Sequence, residues 1–245
     1  MLVVLVCRVR AMRCVACGGL TGETRAGQHG QTDWNAEKRL QGWVDSQLDA
    51  TGVRQAALLG QAVKAMAAPA TPVVIYSSPL SRAKATAEAI ALALDTSSVV
   101  LDDRLREMCL GIFQGHTAKA AVQQFPSEWR KYAQDDAYVI PQGESSSGFT
   151  ARVLDFMRDL AGEARQAQGT RVCVVVAHGG VIDCLRREYA PELAISKAHN
   201  ASISVFHVDS GQRPRLVRWN LTQHLRETAS GEAQSDDVRP APLVP

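Results

Sequence analysis

The chain has 245 residues, 46% of them hydrophobic and 21% charged, with a formal net charge of +2. That is long enough to bury the core of one α/β domain. The small net charge makes no case for a polyanionic partner. No dense Lys/Arg run with interleaved aromatics is present, so nucleic-acid binding has no support.

Met1-Leu-Val-Val-Leu-Val-Cys7 is apolar but short, lacks a basic leader and is followed at once by Arg8, Arg10 and Arg13. It makes a poor signal peptide. No apolar stretch approaches the roughly 20 residues needed to cross a bilayer, so a cytoplasmic protein without a membrane partner is expected. Cys14-Val-Ala-Cys17 has CxxC spacing, but with no second such pair a zinc site is not expected, and the six cysteines read as reduced thiols. Cys173 and Cys184 fall in apolar patterns and should be buried. Gly22 to Gln28 has the composition of a loop.

Further along, Ala56, Leu59, Val63 and Met66 recur at helical spacing. Val73-Val-Ile-Tyr76 is a β-branched run, and Ser77-Ser78-Pro79 breaks it. The alanine-rich stretch Arg82 to Ala93 has strong helix propensity, with Ser81 expected as its N-cap. A helix is predicted from about Phe149 to Ala167, with Val153, Phe156, Met157 and Leu160 inward. Arg171 to Ala177 is a continuous apolar run without alternation, as in a parallel strand covered on both faces. His178-Gly179-Gly180 follows, then a helical segment from Val181 to about Tyr189. Ile203–Val208 and Arg215–Trp219, joined through Asp209-Ser-Gly211, read as a hairpin. From Arg226 onward apolar content drops, and a disordered tail is expected.

Two strand–loop–helix units thus place a chemistry-bearing residue past the carboxyl end of a strand, where open α/β sheets bind ligands. The residues in question are Arg82 and His178; His29 and Glu107 complete the set. Two imidazoles, a guanidinium and a carboxyl group are what a site needs to hold a phosphoryl group, attack it and protonate the group that leaves. Two plainer readings compete: Arg82 pairs with Glu88 on a helix surface, and Glu107 pairs with Arg104 or Arg106. His116, His199, His207 and His224 have no comparable context, and Trp34 and Trp43 are expected to pack or to line an entrance.

The blocks Gln28-His29-Gly30-Gln31-Thr32-Asp33-Trp34-Asn35, Arg39-Leu40-Gln41-Gly42-Trp43, Ser77-Ser78-Pro79-Leu80-Ser81-Arg82, Arg106-Glu107, Gly143-Glu144-Ser145 and Ala177-His178-Gly179-Gly180 occur in order. In this the chain resembles the histidine phosphatase (phosphoglycerate mutase-like) superfamily, over about residues 28 to 225. The resemblance implies a three-layer α/β/α fold with a mostly parallel central sheet, flanked by an atypical segment 1–27 and a tail 226–245. It implies His29 as nucleophile, Arg82 and His178 as phosphate-binding and charge-stabilising groups, and Glu107 as general acid and base. Gln28, Asn35, Thr32, Ser145 and Gly179 would complete the phosphate pocket. No metal or other cofactor is implied, and the partner is a small phosphorylated metabolite; the oligomeric state stays open, a homodimer among the options.

The chain departs from the family at one point. Gln28 stands where the family has Arg, and an amide cannot offer a phosphate the bidentate cationic fork. Losing a charge-assisted hydrogen bond of roughly 1.5–3 kcal/mol from the transition state lowers the rate by about 10- to 200-fold. The strand that should deliver His29 to the sheet is also not evident, since the nearest strand-like run, residues 2–6, lies over twenty residues upstream. A shifted reading frame or misassigned start over the first 27 or so residues would explain both. The modest stretch from Gly111 to Gly143 resembles the smaller phosphatase branch, with Arg130 and Lys131 either a charged lid or a solvated helix face. Hydrolysis of a small phosphomonoester is expected; mutase-type transfer and a weak or inactive phosphoester-binding relic are the alternatives.

Overall fold

The computed structural model describes residues 2–10, 26–27, 30–67, 72–166, 170–193, 198–209 and 212–228. Strands β1 (Leu2–Arg10), β2 (Ala26–Gly27), β3 (Val73–Ser77), β4 (Val99–Leu101), β5 (Thr170–His178), β6 (Ile203–Asp209) and β7 (Arg215–Leu221) form one sheet. Around it lie α1 (Asp33–Ala36), α2 (Ala50–Met66), α3 (Ser81–Ala93), α4 (Ala118–Gln124), α5 (Pro126–Gln134), α6 (Ser146–Gln166) and α7 (Gly179–Tyr189).

The continuous apolar run of β5 explains the layering. Cys173, Val175 and Ala177 pack on one face with Val153, Phe156, Met157 and Leu160 of α6 and Val181, Ile182 and Leu185 of α7. The alternate residues Val172, Val174 and Val176 pack on the other face with Leu59 and Val63 of α2 and Ala83, Ala87 and Ile90 of α3. A strand that buries both faces needs apolar side chains at every position. The molecule is therefore α/β with three layers. β4, β3 and β5 are parallel neighbours, and β6 and β7 form the expected antiparallel hairpin.

The strand-like run near the start extends over Leu2–Arg10. Leu2–Arg10 lies between β5 and β6, parallel to β6 but antiparallel to β5, with Leu2 opposite His178 and Arg10 opposite Thr170. A β-branched apolar run fills a slot flanked by strands, as its composition favours. Its direction carries the chain away from the end of the sheet where His178 lies. Residues 11–25, with Cys14 and Cys17, lie outside the described residues, as do residues 229–245 of the expected tail 226–245; its first three residues end the 3₁₀ turn Gln223–Thr228.

Gly30 and Gly52 interlock where the chain crosses the start of α2. A Cβ on Gly52 would lie 2.0 Å from the Gln31 carbonyl oxygen, and one on Gly30 would lie 2.0 Å from the Gly52 oxygen. Gly162, inside α6, has nothing within 4 Å of such a Cβ. Gly52→Ala should therefore cost about 1–3 kcal/mol through overpacking, lowering the melting temperature by several degrees. Gly162→Ala should raise stability by about 0.5–1 kcal/mol, because it only removes backbone freedom from the unfolded chain. Thermal denaturation of both variants checks this pair.

Candidate active site

The carboxyl ends of β3 and β5 lie side by side. His178 ends β5 and is fully buried; its Nε2 lies 2.8 Å from Ser78 Oγ, just past β3. Ser78 is itself held by its N–H, which donates to the Val176 carbonyl at 2.9 Å. That hydroxyl engages one ring nitrogen of the imidazole.

α3 begins at Ser81, which is the first helical residue and not the N-cap. The cap position belongs to Leu80, which has no polar side chain. Asp45 caps the helix from another loop: Ser81 N donates to Oδ1 at 2.7 Å and Ser81 Oγ to Oδ2 at 2.5 Å. A carboxylate is favoured at a helix N-terminus, where free N–H groups and the dipole meet it.

Arg82 follows, fully buried. Its guanidinium donates to the Gly42 carbonyl at 2.8 Å and the Val44 carbonyl at 3.0 Å. Nε has no hydrogen-bond partner among the described residues. The surface pairing with Glu88 does not occur; Glu88 faces Lys84 at 3.9 Å. Burial pulls the Arg82 pKa down to about 10, against the pull of the Glu107 and Asp45 carboxylates. It remains a cation at neutral pH, but a desolvated one, and an anion placed against it would offset that cost.

Glu107 is free of its neighbours. Arg104 pairs with Asp102, Asp155 and Asp159, and Arg106 with Asp103. The Glu107 carboxylate instead sits at the N-terminus of α7, where Oε2 accepts the Gly180 N–H at 3.1 Å and Oε1 the Met108 N–H at 2.9 Å. A Cβ on residue 180 would lie 2.2 Å from Oε1, so the second glycine of His178-Gly179-Gly180 is what admits the carboxylate. The Glu107 carbonyl accepts two donors, Trp43 Nε1 at 2.7 Å and the Arg152 guanidinium at 2.9 Å.

Arg82, Glu107, Asn35, Gly179 and Gly180 line one cavity of about 1030 Å³, walled by Tyr132 and Phe149 and carrying Lys38, Arg39 and Arg187. Cys184 also lines it, but burial pushes its thiol up to about 11, so no thiolate nucleophile is available there at neutral pH. Arg130 and Lys131 are exposed on α5 and do not line the cavity, which makes them a solvated face.

Two of the residues expected in the phosphate pocket are engaged elsewhere. The Thr32 hydroxyl donates to Asn35 Oδ1 at 3.0 Å and accepts from Asn35 N and Gln41 Nε2, completing a capping box on α1. Ser145 Oγ accepts the Gly148 N–H at 3.1 Å at the start of α6. Neither lines the cavity. Hydroxyls beside a helix start are drawn to its free N–H groups. Asn35 does reach the cavity, its Oδ1 engaged by Thr32 and its Nδ2 used by none of these bonds. Gly179 is the first residue of α7 and lines the cavity. Gln28 and His29 lie outside the described residues.

Asp45, Ser78 and Arg152 were not expected from the sequence, and Trp43 was expected to pack or to line an entrance. Arg152 carried a signal: it falls at helical spacing between Phe149 and Phe156, and a charge on an apolar stripe needs a partner.

With this geometry in hand, the comparisons define the class. The family model of the histidine phosphatase superfamily (branch 1) matches residues 28–222. A metal-independent phosphoserine phosphatase of Arabidopsis thaliana is 31% identical over 200 residues, covering 81% of each chain. Phosphoglycerate mutase-like protein 4 of the same plant is 33% identical over 208 residues, covering 82% of this chain and 86% of the relative. Among solved structures, a mycobacterial glucosyl-3-phosphoglycerate phosphatase superposes with a TM-score of 0.67 at 28% identity, covering 91% of this chain and 100% of that one. The chain belongs to the histidine phosphatase superfamily, as a phosphatase of its first branch.

The buried, partly unpartnered cation generates a prediction. Orthovanadate or phosphate should raise the melting temperature of the wild type and not that of Arg82→Met. Because burial lowers the Arg82 pKa, the guanidinium is charged below about 10 and neutral above it. The gain from the oxyanion should therefore hold through mildly alkaline pH and fade as pH rises past about 10. Thermal shift at a series of pH values checks both statements.

Proposed function

We propose that the protein hydrolyses a small phosphomonoester, without a metal ion, through a phosphohistidine on His29. The observation that carries this reading is the cavity that joins a buried, charged Arg82 to Glu107 at the N-terminus of α7. A guanidinium and a helix N-terminus favour an anion, and a carboxyl group free of ion pairs is suited to move a proton.

In the proposed reaction a ring nitrogen of His29 forms a bond to phosphorus as the bond to the ester oxygen breaks. Glu107, protonated, gives its proton to that oxygen. Arg82, His178 and the start of α7 stabilise the charge on the remaining phosphate oxygens. Water then attacks phosphorus, Glu107 takes its proton, and His29 is released with inorganic phosphate. An amide such as that of Gln28 can donate one neutral hydrogen bond to the same phosphate.

The two phosphatase relatives are named for phosphoserine and glucosyl-3-phosphoglycerate, phosphomonoesters that also carry a carboxylate. Lys38 and Arg39 on the cavity wall suit such a substrate. The relative named as mutase-like keeps one alternative alive, transfer to a second hydroxyl instead of water. The segment between Gly111 and Gly143 holds only two short helices, α4 and α5, which favours the hydrolytic reading. Among the described residues no helix is long and apolar enough to cross a membrane.

The test is hydrolysis of p-nitrophenyl phosphate at mildly acidic and neutral pH with EDTA present. Turnover that persists with EDTA and disappears in His29→Ala is expected. Gln28→Arg should raise kcat/KM by roughly 10- to 200-fold. With 3-phosphoglycerate, release of inorganic phosphate supports hydrolysis, and formation of 2-phosphoglycerate instead would make the protein a mutase. Cooperative melting without any turnover would leave a phosphoester-binding relic.

A further inference from the structure

We infer that Arg152, with Trp43, positions Glu107 for proton transfer to the leaving group, acting on its main chain. This rests on the reading of Glu107 as the general acid.

Arg152 sits on α6, and its side chain is only 18% exposed. One guanidinium holds three successive parts of the segment that ends in Glu107. It donates to the carbonyls of Arg104 at 2.8 Å, Arg106 at 2.7 Å and Glu107 at 2.9 Å. Its remaining bonds go to Glu144, to Oε1 at 2.6 Å and Oε2 at 3.0 Å. Glu144 Oε1 in turn accepts the Cys109 N–H at 2.7 Å, on the far side of Glu107. The Arg152–Glu144 pair therefore grips the backbone both before and after the acid.

Trp43 completes the grip. Its indole N–H takes the second lone pair of the Glu107 carbonyl, and its ring stacks under the Arg106 guanidinium, 4.8 Å from the centroid. Trp43 N is anchored by Gln114 Oε1 at 2.7 Å. A carbonyl oxygen has two lone pairs, and here both are used by fixed donors.

The carboxylate itself has few restraints. Apart from the Met108 N–H next to it in the chain, it meets one anchor, the Gly180 N–H. Its place in the cavity is then set by where its backbone is held. Because Glu144 neutralises Arg152, what Arg152 brings is geometry and not charge. Only a planar fork with five N–H donors can reach three carbonyls and a carboxylate together, and Lys cannot.

A misplaced acid has a kinetic signature that general destabilisation lacks. Protonation matters most when the departing oxygen is basic. Phenyl phosphate releases a more basic oxygen than p-nitrophenyl phosphate, at nearly the same size. The quantity to compare is kcat/KM, since it reports the first phosphoryl transfer and not the later hydrolysis of the phosphoenzyme.

The experiment measures kcat/KM for both esters in the wild type, Glu107→Gln, Arg152→Lys and Trp43→Phe, each shown to melt cooperatively. Arg152→Lys should lose about tenfold more on phenyl phosphate than on p-nitrophenyl phosphate, in line with the cost of misplacing a catalytic group. Trp43→Phe keeps the ring over Arg106 and removes only the donor; it should show the same preference, about two- to fivefold. It serves as the readout should Arg152→Lys fail to fold. Glu107→Gln should show the largest preference. Equal losses on both esters in Arg152→Lys and Trp43→Phe, with the preference intact in Glu107→Gln, would overturn the positioning role. Equal losses in Glu107→Gln itself would instead overturn the assignment of Glu107 as the acid.

Discussion

The structure depends on a guanidinium kept charged in the dark of the core. Arg82 is fully buried, and its only described partners are the carbonyls of Gly42 and Val44. Neutral acceptors compensate a buried cation poorly, and its pKa falls in response. The fold accepts this cost because the cation is held where an anion can come to it. The surrounding elements bring that cation and the Glu107 carboxylate to one cavity.

A single loop ties the two functions together. Between residues 39 and 46 it gives two carbonyls to Arg82, the indole of Trp43 to the Glu107 carbonyl, and the carboxylate of Asp45 to the start of α3. Its own shape is fixed by Gln41, which bonds Thr32 Oγ1 at 3.0 Å and accepts from Ser46 at 2.6 Å. From the other side, α7 offers its N-terminus to Glu107, and β5 hands over from His178 to Gly179 at that same point. Parallel strands with helices on both faces converge such termini on one end of the sheet, which is why the site forms there.

Much of this was legible in the sequence because it is encoded locally. The unbroken apolar run of β5 required cover on two faces, and α2, α3, α6 and α7 supply it. Arg82 and Glu107 were grouped from their motifs, and the structure brings both to one cavity. What was not legible depends on partners far apart in the chain. Asp45 caps a helix 36 positions away, and Arg152 reaches Glu107 across 45. Thr32 and Ser145, expected in the phosphate pocket, are instead engaged at helix starts, where a hydroxyl meets free N–H groups. β4 escaped notice since Val99–Leu101 is three residues long and mostly exposed. The direction of β1 could not be read at all: alternation and apolarity are the same in both directions, and only the antiparallel register with β5 reveals it.

In the proposed reaction the phosphoryl group passes through a histidine in a site organised by Arg82 and Glu107. The most direct test is to quench the enzyme during turnover into base, where phosphohistidine survives, and to map the modified peptide by mass spectrometry. The account predicts one phosphoryl group on the peptide that contains His29, lost on brief acidification. Turnover with the phosphoryl group on a serine, aspartate or cysteine peptide would contradict this assignment.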